Sequence, residues 1–142
     1  MASRSEMDRL IEQHIAAEMA GDPAGAVAVY TDDVEHDVVG WPTGPVSGVE
    51  AAQGFYDQLM AAFQNERMEP VRRLYGEDFC VIEHLTTGTW PEGFAGVPGD
   101  ADARTTFRML HVWEFRDGRM SRENVWIDTG AIIAQLMQRA AA

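Results

Sequence analysis

Apolar positions recur at three- and four-residue spacing early in the chain and at two-residue spacing over most of the remainder. Met7, Leu10, Ile11, His14 and Glu18 fall along one helical stripe, broadened by Ile15 and Met19. Ser5, with Asp8 three residues on, reads as its capping-box start and Gly21 as its end, with His14 facing inward. Asp22-Pro23 supplies an N-cap with proline at the first helical position, which predicts a second helix to about Tyr30. Alternation in Val34–Val39 predicts a strand with His36 inward and Asp37 outward. Ser47 and Glu50 then form a second capping box. Ala52, Phe55, Tyr56, Leu59, Met60 and Phe63 follow as an amphipathic helix. Strands are predicted over Glu69–Tyr75 and Phe79–Thr87, and a short closing helix over Thr129–Met137.

The most informative pattern is a pair of alternating runs between Arg104 and Asp128, joined at Asp117-Gly118. Asp-Gly suits a type I′ turn, which needs positive φ at both central residues. Pairing outward from that turn sets His111 opposite Asn124, Met109 opposite Trp126 and Phe107 opposite Asp128, with Trp113 on the same face. That aromatic face is the expected inner one. The opposite face takes Arg108, Leu110, Val112, Glu114, Glu123, Val125 and Ile127. A bulge in the hairpin would break this register. Trp90–Asp102, rich in Gly and Pro, is a connection of the length that often forms a lid or pocket rim.

Three helices, a strand inserted after the second, and a run of antiparallel strands define an α+β fold. Its helices gather on one face of a strongly bent sheet. Such a sheet closed by helices encloses a cone-shaped cavity, a natural ligand site.

Composition narrows the function. The 142 residues suit one domain, and the net charge of −12 argues against nucleic acid or an anionic membrane as partner. No apolar run approaches the ~18 residues of a membrane span. The first residues lack the apolar core of a signal peptide, so a cytoplasmic location is expected. Cys80 is the single cysteine, which excludes an internal disulfide and a thiolate metal cluster. There is no nucleophile elbow, phosphate-binding loop, dinucleotide fingerprint or H-E-x-x-H, and the four histidines (14, 36, 84 and 111) lie on separate elements. Neither a metal nor a cofactor is expected. What remains is acid–base chemistry by His and Asp in an apolar cavity.

The string IAAEMAGDPAGAVAVYTDD (Ile15–Asp33) resembles the opening of the NTF2-like and ketosteroid isomerase superfamily. GTWPEGFAGVPG, then FRMLHVWEFRDGRMSRENVWID and AQL, resembles its SnoaL-like polyketide cyclase branch. The resemblance covers most of the chain. It implies a cone-shaped α+β barrel, a curved, mostly antiparallel sheet wrapped on three N-terminal helices, usually as a homodimer. It further implies a pocket aspartate near the end of the last strand as general acid/base, without a cofactor, and Asp128 matches that position. His14 and His111 fall where the isomerase carries its tyrosine and protonated-aspartate donors. Its basic aspartate falls near Asp37 or Val38. Limonene-epoxide hydrolases of this fold use an Arg-x-Asp pair that the matching strand, CVIEHLTTG, lacks. Scytalone dehydratase, another relative, works with histidines, tyrosines and an aspartate.

The expected catalytic residues are Asp128, His111 and His36. The expected substrate-binding set is His14, Tyr30, Trp41, Tyr56, Trp90, Met109, Trp113, Asn124 and Trp126. Asp128 is equally a favoured N-cap for the closing helix. The substrate expected is a small, apolar, oxygenated ring compound undergoing cyclisation, isomerisation or dehydration. Epoxide hydrolysis and a plain binding module are the alternatives.

Overall fold

The computed structural model describes residues 1–142. Helices α1 (Arg4–Met19) and α2 (Pro23–Val27) precede strands β1 (Tyr30–Val39) and β2 (Val46–Ser47). Then come α3 (Val49–Ala62), β3 (Gln64–Tyr75), β4 (Phe79–Thr89), β5 (Arg104–Arg116), β6 (Arg119–Ile127) and α4 (Thr129–Ala140). The strands form one curved sheet in the order β2-β1-β6-β5-β4-β3. Only β1 and β6 run parallel; the other pairs are antiparallel. No helix is long and apolar enough to cross a membrane.

Local chemistry moves several predicted boundaries. Helix α1 starts earlier, at a capping box of Ser3 and Glu6 rather than Ser5 and Asp8. The Ser3 side chain accepts from the Glu6 amide, and Glu6 accepts from the Ser3 amide at 2.8 Å. Helix α2 is shorter than predicted, because the Val29 carbonyl accepts from Met120 N–H and the chain enters β1 at Tyr30. Ser47 does not cap α3. Its backbone pairs with Glu35 in β2, and Gly48, at φ +91°, takes the N-cap position without a side-chain bond. Helix α4 is capped by Asp128, which accepts from Ala131 N–H at 3.1 Å.

The Asp117-Gly118 turn forms as predicted, with φ of +53° and +76°. Two residues past it, the register slips. Phe115 pairs with Met120 but Glu114 pairs with Arg122, so Ser121 is the extra residue of a bulge. Every later β6 side chain therefore points to the face opposite the one predicted. His111 pairs with Val125 and Trp113 with Glu123. Glu123 and Val125 are buried with His111 and Trp113, while Asn124, Trp126 and Asp128 lie on the outer face.

Helices α1, α2 and α3 cover the inner face of β1, β4, β5 and β6 with one apolar cluster that includes Ile11, Val34, Phe55, Ile82 and Trp113. A second cluster, Phe63, Trp90, Ala103, Phe107, Ile132 and Leu136, closes the far end under α4 and the 90–103 connection. Gly88 makes that closure possible. A Cβ there would come within 2.3 Å of both the Phe63 ring and the Gln64 carbonyl, so only hydrogen lets Phe63 lie across β4. Cys80 is buried in the first cluster, and burial pushes its thiol up to about 11, as expected of an inert core cysteine.

Candidate active site

Three elements bring polar side chains to one point inside the first cluster. Helix α1 supplies His14 and, one turn on, Glu18; α3 supplies Tyr56 beside Phe55; β1 supplies Tyr30 and His36. The bulge adds Glu123 from β6. All but Glu18 are almost completely buried, and the Glu18 side chain is 10% exposed.

The hub is the Tyr56 hydroxyl. It lies 3.0 Å from the Tyr30 hydroxyl, 3.2 Å from Nε2 of both His36 and His14, and 3.3 Å from Oε2 of Glu123. Tyr30 donates a short hydrogen bond to the same Glu123 oxygen. His14 Nδ1–H donates to the Ala26 carbonyl at 2.7 Å, which fixes the ring and aims Nε2 at Glu18 (3.0 Å) and Glu123 (3.2 Å). The other Glu123 oxygen, Oε1, is buried without a hydrogen bond, 3.9 Å from His111 Nε2. Behind it, His111 stacks on Trp113 at 4.6 Å and lies 3.3 Å, Nδ1 to Nδ1, from His84.

Burial and pairing divide these groups by charge. Burial pushes the Glu123 carboxyl up, but the charge and hydrogen bond of His14 hold it well below the ordinary carboxylate range. Burial likewise disfavours the His14 cation, yet Glu123 and Glu18 hold it well above the ordinary imidazole value. The remaining histidines go the other way: burial lowers His36 and takes His84 to about 4 and His111 to about 3. Burial and the Glu123 charge keep both tyrosines protonated. One small volume therefore holds an anion, a cation, two phenol donors and neutral imidazoles.

Of the sequence-predicted residues, His14, Tyr30, His36, Tyr56, His111 and Trp113 converge here. Trp90 is core, its indole N–H donating to Thr105 at 2.8 Å between the rings of Phe63 and Phe94. Trp41, Leu59, Met109 and Ile127 touch both clusters and are only partly buried, and so mark a seam between the two parts of the interior. Aromatic rings line the way to it from His36: Phe55 at 4.8 Å, Trp41 5.5 Å beyond, then Phe94 at 6.1 Å.

Three predicted residues are elsewhere. Asp128 is exposed and caps α4; Trp126 is 42% exposed; Asn124 bonds to Arg122 and to the Asp37 carbonyl on the outer face. All three moved with the bulge. The same slip brought in Glu123, which sequence pattern had placed outside. Glu18 lies on the helical stripe of His14, and His84 reads from alternation as an ordinary core residue. His14, Glu18 and Glu123 each place one donor atom within 4.8 Å of the others, the set able to hold a metal ion. The same spacing is that of an imidazolium between two carboxylates.

The chain belongs to the SnoaL-like domain family, whose model matches residues 11–123. Among solved structures it is similar to a proposed polyketide cyclase from Xanthomonas campestris pv. campestris, with 18% identity and TM-score 0.83 over 95% of this chain and 99% of that one. IdmH, a proposed polyketide cyclase from Streptomyces antibioticus, is 22% identical with TM-score 0.76, over 92% and 97%. An epoxide hydrolase of the limonene-epoxide-hydrolase-like kind from M. tuberculosis is 17% identical with TM-score 0.72, over 94% and 91%. At these identities the likeness is one of fold. Among curated proteins none matches the chain in sequence. The family model and the solved neighbours together show the SnoaL-like α+β fold expected from the sequence.

Proposed function

We propose that the protein is an acid–base enzyme acting, without a cofactor, on an apolar, oxygenated ring compound by cyclisation, isomerisation or dehydration. The observation that carries this reading is the Tyr56 hub, where groups of opposed proton affinity meet within 3.3 Å. Environments that push like groups apart assign acid and base. His14 is the proton source, relayed through the Tyr56 and Tyr30 hydroxyls, which polarise a substrate oxygen. His36, neutral and next to the aromatic seam, is the base, with His111 as its counterpart on the opposite wall. Glu123 is a positioning residue whose charge keeps His14 protonated. The substrate lies in the seam against Trp41, Leu59 and Met109.

The test is turnover of a panel of polycyclic ketones, hydroxylated decalones and terpene epoxides by the wild type and Tyr56→Phe. Loss or gain of water, or ring closure, in the wild type and at least a hundredfold less in the variant is the expected result, on the scale of general acid–base catalysis. Equal rates in both would end the proposal. Epoxide opening alone, unaffected by Tyr56→Phe, would place the chemistry outside this network.

We also propose a homodimer through the outer face of the sheet. Val39, Trp126 and Leu110 sit side by side across β1, β6 and β5, each more than a third exposed. Glu83 and Arg108, which flank this row with both signs of charge, suit a two-fold contact in which each copy offers the same patch. Sedimentation equilibrium should give a dimer for the wild type and a folded monomer for Trp126→Glu. A monomeric wild type would refute the dimer and leave the chemistry untouched.

A further inference from the structure

His14 and Glu18 stand one turn apart on α1, so their side chains leave the same face of the helix, and the bulge in β6 turns Glu123 toward them. One donor atom from each lies within 4.8 Å of the other two. His14 Nε2 is 3.0 Å from Glu18 Oε1 and 3.2 Å from Glu123 Oε2. Two ligands held ~2.0–2.1 Å from a tetrahedral ion are roughly 3.3 Å apart, so these two edges already have the length that a zinc site needs. The Tyr56 hydroxyl, 3.2 Å from His14 Nε2 and 3.3 Å from Glu123 Oε2, borders the fourth side. Two further observations call for a cation at this point. The first is the tautomer of His14. Its Nδ1–H donates to the Ala26 carbonyl at 2.7 Å, the backing that metal-ligating histidines carry. Nε2 is then a bare lone pair aimed at two carboxylates unless a proton or a metal ion lies between them. The second is charge. Glu18 and Glu123 are paired only with histidines; no arginine reaches either, and the chain has no lysine. One imidazolium between two carboxylates leaves a negative charge over, whereas a dication on neutral His14 leaves none. Charge in the interior is costly unless it is compensated.

We infer that His14, Glu18 and Glu123 form a site for a divalent transition-metal ion, with Zn²⁺ the ion best suited to one imidazole and two carboxylates in four-coordination. The ion takes the place of the proton on His14 Nε2, which leaves to solvent. It enters past Glu18, the partly exposed member of the set. Mg²⁺ is excluded by its need for a near-octahedral oxygen shell that keeps several waters, because the centre is walled by the buried side chains of Tyr30, His36 and Tyr56. Binding follows from the donor set alone. That bound zinc silences turnover rests on the acid–base reading, in which the His14 proton is the one delivered.

The probe is Co²⁺ alone, titrated into the metal-free, untagged protein, followed by its visible absorption and then displaced by Zn²⁺. The wild type should take up one ion per chain, with the intense band of four-coordinate Co²⁺, and zinc should bleach it. Loss of even an outer-shell partner costs about 10–100-fold in metal affinity, so Glu18→Gln and Glu123→Gln should each weaken zinc binding by about a hundredfold or more. His84→Leu, which breaks the other close contact between donors, His84 with His111, should leave it unchanged. Glu18→Gln alters only the partly exposed end of the network and stays informative even if Glu123→Gln fails to fold. The inference is overturned by no saturable uptake in the wild type, by uptake that keeps its affinity in Glu18→Gln, or by uptake lost in His84→Leu. Turnover is read separately. Zinc should abolish it in the wild type, a chelator should restore it, and Glu18→Gln should need correspondingly more zinc. Zinc held at these three residues by a protein that turns over no panel substrate, or whose turnover zinc raises, would uphold the site and refute the cofactor-free reading. Turnover with no zinc uptake would do the reverse.

Discussion

Glu123→Gln is expected to lower turnover by two orders of magnitude or more and to move the whole pH–rate profile toward acid. Glutamine keeps the shape and can still accept from Tyr30 and Tyr56, but it removes the anion 3.2 Å from His14. His14 sits well above the ordinary imidazole value because of Glu123 first and Glu18 second. Without Glu123 it loses its proton at lower pH, so the alkaline limb, where the acid is lost, begins earlier. The same anion also raises His36 against its burial. Removing it lowers His36 further, and the acid limb, where the base becomes protonated, recedes as well. A merely structural carboxylate would change stability and leave both limbs in place. Stability should drop by less than the roughly 3–5 kcal/mol typical of stripping one partner from a buried pair, because Glu18 remains 3.0 Å from His14. Wild-type turnover in Glu123→Gln, or a profile that does not move, would remove Glu123 from the mechanism.

The second large effect is acid lability. His84 and His111 are buried and depressed to about 4 and about 3, and His36 is lowered in the same sense. Below the unfolded value of about 6.5, the unfolded chain binds protons on these histidines that the folded chain refuses. Stability therefore falls as pH falls. His84 and His111 together cost roughly 5 kcal/mol between pH 6.5 and 4.5, which rivals the whole stability of an ordinary domain. Glu123, whose folded value is depressed, adds to the loss only below its unfolded value near 4.5. His14 acts oppositely. Its raised value contributes stability that is fully present below about 6.5 and is lost as pH rises through the folded value. Urea midpoints should thus peak near pH 6.5, falling steeply toward acid and gently toward alkali. His84→Leu should shed about one proton's worth of the acid slope. A flat stability between pH 6.5 and 4.5 would contradict this account.

The fold was legible because its signals are local. Asp117-Gly118 announced the hairpin, Pro23 opened α2, and the Phe55–Leu59 spacing gave α3. Half of the site was equally open to reading, since alternation placed His36 inward and the helical stripe did the same for His14. What stayed hidden was a single unpaired residue. Nothing in R-M-S-R-E-N distinguishes a bulge at Ser121 from continuous pairing, because both leave charged residues on either side of the strand. Yet that one residue exchanged Asn124, Trp126 and Asp128 for Glu123, Val125 and Ile127 on the inner face. The carboxylate expected inside, Asp128, is outside, and Glu123, expected outside, is the buried one. The two misplaced capping boxes share a different cause. Ser5-Asp8 and Ser47-Glu50 match the pattern, but an earlier start and a strand pairing claimed those backbones first.

The parallel pairing of β1 with β6 also fixes when the site can exist. Apart from the two-residue β2, β1 has no other neighbour in the sheet, and its partner lies some ninety positions further along the chain. During synthesis, Tyr30 and His36 therefore emerge long before Glu123, on a strand whose open edge has nothing to bond to. The hairpins among β3, β4, β5 and β6 can close from near neighbours, whereas the β1–β6 seam waits for the slowest, most distant contact. The polar network is sealed by that last event. A chain stopped short of β6 would have its histidines and tyrosines in water and its apolar strand unpaired, so completion of the charge pair and completion of folding are one step.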